Sequence, residues 1–381
     1  MRIRPLALMV LSHTVVDTSQ NILPVVLPLL QLRFGLSYSQ VGLVAALLNI
    51  SSSIIQPIFG SISDRWNTKW FLPAGILWTG ALMGMVGLVP NFWALLLVVT
   101  LTGVGTAAFH PVGAMAAAHA SGAQRGLGMS FYSAGGNLGL ALGPILMAWI
   151  LAGMSLRGTV FVIPLGLLMA AAVHWYRQEI EIPLTRRSEP RTQNPAPIPW
   201  RKLSALCLLI LLRSWGASGL VVFTPLFFIQ QGMALALTGR ALFVFLFFGA
   251  LGGMLGGYLS DRVGRRQVIV ASLLGFPSLM AAALLLQGPA RWVFLAAAGM
   301  ALMASFSVTV VFAQELLPRH LGLASGLTLG LAFGTGGLGV GVSGLMADLY
   351  GLHASVWMLV FLPGLGGLLA LTFKSAPRHA E

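Results

Sequence analysis

Twelve apolar runs, each long enough to cross a bilayer, punctuate the 381-residue chain, and that pattern leaves few folds open. A helix rising about 1.5 Å per residue crosses about 30 Å of hydrocarbon in about 20 residues. Breaks at glycine, proline and charge place the spans near 6–32, 40–62, 71–89, 92–118, 126–152, 159–176, 203–228, 238–259, 268–287, 292–315, 321–349 and 355–374. Charged residues make up 8% of the chain, against about 25% in a soluble domain. The strands of a membrane barrel would be shorter and alternate in polarity, so a barrel is excluded. The 46 glycines suit helices packed closely through small residues. Arg2 and Arg4 ahead of an apolar run look like the start of a signal peptide. That run continues for more than twenty residues and carries polar groups, so it reads as a retained first span.

The longest charged and proline-rich interruption, 177–202, separates an N-terminal half, 1–176, from a C-terminal half, 203–381. The predicted fold is an all-α membrane protein of twelve transmembrane helices in two six-helix halves. Arg33, Arg157, Arg240 and Arg291 fall on one side of the bilayer, and Arg213 lies within a span. The other 17 of the 22 lysines and arginines fall on the opposite side, which the charge bias makes cytoplasmic, together with both termini. The same bias accounts for the net charge of +13 without a nucleic-acid partner. The single cysteine, Cys207, excludes an intramolecular disulfide and a thiol metal site.

An internal repeat divides the chain in the same place. Gly60-Ser-Ile-Ser-Asp64-Arg65 follows the second span, and Gly257-Tyr-Leu-Ser-Asp261-Arg262 follows the eighth, 197 residues later. A duplicated six-helix unit around a central site is a transporter architecture. The second copy continues Val263-Gly264-Arg265-Arg266 and resembles the signature loop of the major facilitator superfamily. The first copy lacks the second glycine and the arginine pair. Gly139-x-x-x-Gly143-Pro144 in the fifth span resembles that superfamily's antiporter motif, which is associated with exporters. Leu11-Ser-His13-x-x-x-Asp17, Phe109-His110-Pro111, Gly135-Gly-Asn137-Leu-Gly and Ala313-Gln314-Glu315-Leu-Leu-Pro318 resemble the fosmidomycin resistance protein family of efflux pumps. That resemblance runs through most of the chain and implies export of a small organic solute.

The first span carries His13, Asp17, Gln20, Asn21, Pro24 and Pro28 within an arc of about 100°. A lipid-facing helix does not carry such a stripe, so it is expected to wall an internal cavity. Asp17 is the one carboxylate near the middle of an apolar run, about 16 Å deep. It is a candidate proton-coupling group, or else a structural polar group paired to a neighbouring helix. His13, one turn before it, either relays the proton and orients the carboxylate or serves in helix packing. His110 lies at a similar depth, about 12 Å against about 10 Å for His13. The three therefore cluster if spans one and four are neighbours, as the family resemblance implies. Two histidines and an aspartate are also a conceivable metal set, but the spacing fixes no geometry, and no metal or cofactor is assigned.

Arg213 lies about 15 Å deep in the seventh span, and the repeat offset maps Asp17 to the next residue, Ser214. Each half thus brings one charge to mid-membrane. Arg213 either contacts an anionic solute or forms an ion pair with Asp17. Gln20, Asn21 and Asn137 are candidate substrate contacts, with interhelical hydrogen bonding as the alternative. Asp64, Arg65, Asp261, Arg262, Arg265, Arg266 and Glu315 are expected to gate the inner face or to staple it. Gly139, Gly143 and Pro144 either pack span five or bend it.

No catalytic motif, nucleotide loop or calcium loop is present, so no enzyme activity is expected and transport must use an ion or solute gradient. Expected partners are a small-molecule substrate, protons and the lipid bilayer. Packing within one chain accounts for the glycine-rich faces, so a monomer is expected. The reading is proton-driven export by alternating access. Uptake, uniport and lipid flipping are the alternatives within transport.

Overall fold

A computed structural model describes residues 1–66, 68–181, 199–317 and 321–373, and its regular elements are helical throughout. The α-helices are α1 (Ile3–Gln20), α2 (Leu23–Phe34), α3 (Tyr38–Ile54), α4 (Gln56–Arg65), α5 (Phe71–Met85), α6 (Phe92–Ser121) and α7 (Arg125–Met154). They continue as α8 (Val162–Trp175), α9 (Trp200–Gln230), α10 (Leu235–Val263), α11 (Arg265–Leu285), α12 (Pro289–Leu316), α13 (Leu321–Tyr350) and α14 (Leu352–Ala370). The widest departures from the expected limits are four residues, at 89 against Met85, 259 against Val263 and 374 against Ala370. Among the described residues, nine helical segments are long and apolar enough to cross a membrane, counting the run Phe92–Trp175 as one. Helix α5 is a shorter apolar helix of 15 residues.

Two spans expected to be continuous are broken. The first divides between α1 and α2, where the Asn21 backbone N–H closes on the Asp17 carbonyl at 2.9 Å. The Asn21 side chain donates to the Leu140 carbonyl of α7 at 2.6 Å, and Pro24 supplies no backbone donor to the start of α2. The second divides at Ile55, where Pro57 opens α4 for the same reason.

The chain forms two compact units, Met1–Arg191 with Phe228–Phe243 and Thr192–Phe227 with Val244–Glu381. In the first, α1 lies against α7 along Gly135, Gly139 and Gly143. A Cβ at Gly139 would stand 3.0 Å from the Asp17 Cβ, and one at Gly143 would stand 2.6 Å from the Thr18 carbonyl oxygen. Glycine at 80 likewise brings α5 onto Gly166 of α8, with 2.8 Å between an added Cβ and the Gly166 Cα. In the second unit, Gly336 and Gly339 of α13 receive Ser218 and Trp215 of α9, whereas Gly334 faces open space. The Trp215 indole donates to Ser343 at 2.9 Å across the same contact.

The N-terminal residues are tied to two other chain segments. Arg2 pairs with Glu181 at 2.7 Å and donates to the Glu179 carbonyl at 2.9 Å, while its backbone N–H donates to the Ala120 carbonyl at 2.7 Å. His119 meets the other Glu181 oxygen at 2.8 Å. The His119 hydrogen bond, followed by the one from Arg2, holds the Glu181 carboxyl below the usual carboxylate range.

Two outcomes follow from this packing. Gly139→Leu forces α7 off α1 and costs about 1–3 kcal/mol, read as a lowered melting temperature in detergent. A carboxyl with a depressed pKa contributes above its usual titration range and loses that contribution as pH falls through the depressed value. Glu181→Gln therefore speeds amide exchange in the first turn of α1 at neutral pH, whereas the native protein shows the same speed-up only in acid. Hydrogen–deuterium exchange that is identical in both proteins at neutral pH contradicts this assignment.

Candidate functional site

Three helices of the first unit converge on Asp17. Helix α1 presents His13 and Asp17 one turn apart, α6 presents His110, and α7 presents Tyr132. Pro111 sits inside α6 directly after His110 and removes one helical donor there. The Asp17 side chain is 9% exposed, that of His13 12% and that of His110 21%. His13 Nε2 lies 3.3 Å from Asp17 Oδ2, and His110 Nε2 lies 3.4 Å from Asp17 Oδ1. The two imidazoles meet edge-on, with centroids 5.1 Å apart.

The tautomer of His13 follows from its other nitrogen. His13 Nδ1 lies 2.9 Å from the Tyr132 carbonyl oxygen, which only accepts, so Nδ1 carries a hydrogen. In a neutral His13 the bare Nε2 lone pair then faces a carboxylate oxygen. Two acceptors at that distance repel unless a cation lies between them. The cluster is therefore built to hold one positive species beside Asp17.

Tyr132 was not among the residues expected to matter. Its carbonyl orients His13, its ring stacks on the imidazole at 4.2 Å and 27°, and its buried hydroxyl has no hydrogen-bond partner. The signal in the sequence was its position seven residues before Gly139, on the helix face that meets α1. Gly136 completes the enclosure, since a Cβ there would stand 2.9 Å from Asp17 Oδ2 and press on the His13 ring. Of the other candidates in this unit, Asn21 is engaged with Leu140, while Gln20 and Asn137 are half-buried. Asp64 and Arg65 have side chains outside the described residues.

The second unit contains the other buried charge. Arg213 is 2% exposed. Its Nη2 donates to Ser214 at 3.0 Å, and its guanidinium lies 4.9 Å from the Phe306 ring centroid. Its Nε is buried without a partner. Within that unit, no described carboxylate pairs with it. A buried guanidinium with a spare donor and no counter-charge is costly to keep.

Among the expected gating residues, Arg265 joins three groups. It donates to Glu315 at 3.1 Å, to Ser260 at 2.7 Å and to Asp261. Arg262 instead lies over the Tyr258 ring of its own helix at 4.4 Å, and Arg266 donates to the Leu371 carbonyl at 2.9 Å.

The fold and these buried charges define a polytopic membrane protein of the transporter class. The family profile of the Major Facilitator Superfamily matches residues 9–337 and 206–381, and the chain belongs to that superfamily. It is 34% identical over 383 residues to the fosmidomycin resistance protein of Escherichia coli (strain K12), covering 97% of this chain and 92% of that one. It is 37% identical over 387 residues to the uncharacterized MFS-type transporter YfnC of Bacillus subtilis (strain 168), covering 97% and 93%. The resemblance read from the motifs is thus borne out. The fold is also that of a bacterial homologue of the human lysosomal transporter Spinster in an inward-facing, occupied conformation. The TM-score is 0.78 at 18% identity, over 96% of this chain and 95% of the other.

Because the Arg213 charge has no partner in its unit, replacing it with an apolar side chain of similar length should relieve the fold. Arg213→Met is expected to leave the melting temperature unchanged or raise stability by about 1–4 kcal/mol. A marked fall would show that a counter-charge holds the guanidinium.

Proposed function

We propose that the protein is a secondary active transporter that exports a small organic solute in exchange for protons. The observation that carries this reading is the Asp17 carboxylate held between two imidazole nitrogens, an arrangement that calls for one cation in the gap. The proton is the species that enters and leaves such a gap as its surroundings alternate between wet and dry. The fourteen helices reduce to twelve spans when α1–α2 and α3–α4 each count as one, in keeping with a duplicated six-helix plan. In this reading the lysine and arginine bias supports cytoplasmic termini, and the protein sits in the cytoplasmic membrane.

In this reading Arg213 receives an anionic group of the solute, a carboxylate or phosphonate, through its Nε donor. The likeness to the fosmidomycin resistance protein, together with the Gly139, Gly143 and Pro144 motif, supports export. Solute at Arg213 and the proton at Asp17 occupy different states of the cycle. Asp17 gives up its proton when the site opens inward and takes one when it opens outward. The Arg265, Asp261 and Glu315 cluster holds the inner ends of α10, α11 and α12 together in one state and releases them in the other.

Asp17→Asn keeps the size of the side chain and removes its charge. Proton-coupled efflux in everted vesicles should be lost, while solute exchange without a proton gradient persists. Coupling equal to that of the native protein would remove Asp17 from the mechanism.

A further inference from the structure

The cluster around Asp17 is also a ligand set. His13 Nε2, His110 Nε2 and an Asp17 oxygen all lie within 4.8 Å of one another. A charged N–H···O bond is usually about 2.7–2.9 Å long, shorter than either histidine–carboxylate distance. Those distances, 3.3 and 3.4 Å, instead match the roughly 3.3 Å ligand–ligand edge of a tetrahedral site with bonds of about 2.0–2.1 Å. Each imidazole nitrogen thus stands at such an edge from one carboxylate oxygen, His13 from Oδ2 and His110 from Oδ1. The three ligand atoms lie within 4.8 Å of one another, close enough to share one ion.

The surrounding groups also fit a metal. A metal-bound histidine ordinarily donates its second ring N–H to a carbonyl or carboxylate, which fixes the tautomer that leaves the ligating nitrogen bare. His13 does this through Tyr132. Two imidazoles and one carboxylate favour zinc, cobalt, nickel or copper over magnesium or calcium, which take oxygen ligands. Three protein ligands leave a fourth position for water or a donor atom of the solute. Gly136 leaves room for the His13 ring and the Asp17 carboxylate on the side where a Cβ would press on both.

We propose that His13 Nε2, His110 Nε2 and Asp17 bind one divalent transition-metal ion of the zinc class, in competition with the proton that the same gap holds. Binding stands on the ligand geometry. Inhibition of transport by the ion rests on the reading of this cluster as the coupling site.

The test uses the full chain, purified in detergent and titrated with Zn²⁺ by calorimetry and with Co²⁺ by visible absorption. One ion per chain is expected, with the intense cobalt spectrum of a four-coordinate site. His110→Gln and His13→Gln should each weaken binding by about 100-fold or more, and Asp17→Asn by a similar factor. Melting profiles matching the native protein show that the variants remain folded. Two variants on different helices keep the test decisive if one of them fails to fold. The absence of a saturable site, or a site that survives both histidine variants, overturns the proposal. In vesicles, Zn²⁺ should block proton-coupled efflux by the native protein. Histidine-dependent binding that leaves efflux untouched overturns the inhibitory role. The coupling reading itself falls or stands on Asp17→Asn without added metal.

Discussion

The approach of α1 to α7 is the constraint on which the rest of the first unit depends. Glycine at 135, 136, 139 and 143 leaves the α7 face that meets α1 without side chains over the stretch beyond Tyr132. Only that absence lets a carboxylate sit against a helix backbone with His13 folded over it. The same approach brings the Tyr132 carbonyl to His13 Nδ1 and so determines which imidazole nitrogen faces Asp17. Helix packing, tautomer and charge placement are therefore one arrangement, and α6 adds His110 to it from a third direction.

The two units handle buried charge in opposite ways. In the first, the acid is enclosed by two imidazoles and a helix backbone. In the second, among the described residues of its unit, a permanent cation keeps a free donor and has a hydroxyl and an aromatic face for company. Arginine does not shed its proton, so its unmet Nε donor keeps its cost in place. A carboxylate between imidazoles, by contrast, can be neutralised in place by a small cation. That difference in chemistry is what divides the proposed roles, proton at Asp17 and solute at Arg213.

The break between α1 and α2 has a consequence for the polar stripe. As an unbroken helix, that stripe would place Gln20 and Asn21 beside Asp17 as equal members of a cavity wall. Instead Asn21 turns to the Leu140 carbonyl and ends α1, leaving Asp17 in the last full turn of its helix. Its amide serves the backbone of a neighbouring helix, the interhelical bonding that had stood as the alternative to solute contact.

By itself the sequence determined the helical class, the outer limits of the spans to within four residues and the superfamily. These depend on local hydropathy and on motifs within a few residues of one another. It also marked His13, Asp17 and His110 as polar groups that lipid would not tolerate. Tertiary structure alone decided that Arg265, rather than Arg262 or Arg266, reaches both Asp261 and Glu315, and that Tyr132 governs His13. It alone also decided that the three polar groups stand at distances suited to a shared cation. Such facts depend on how residues as far as 119 positions apart are turned toward one another. Hydropathy is blind to rotation about a helix axis, and no spacing rule carries that information.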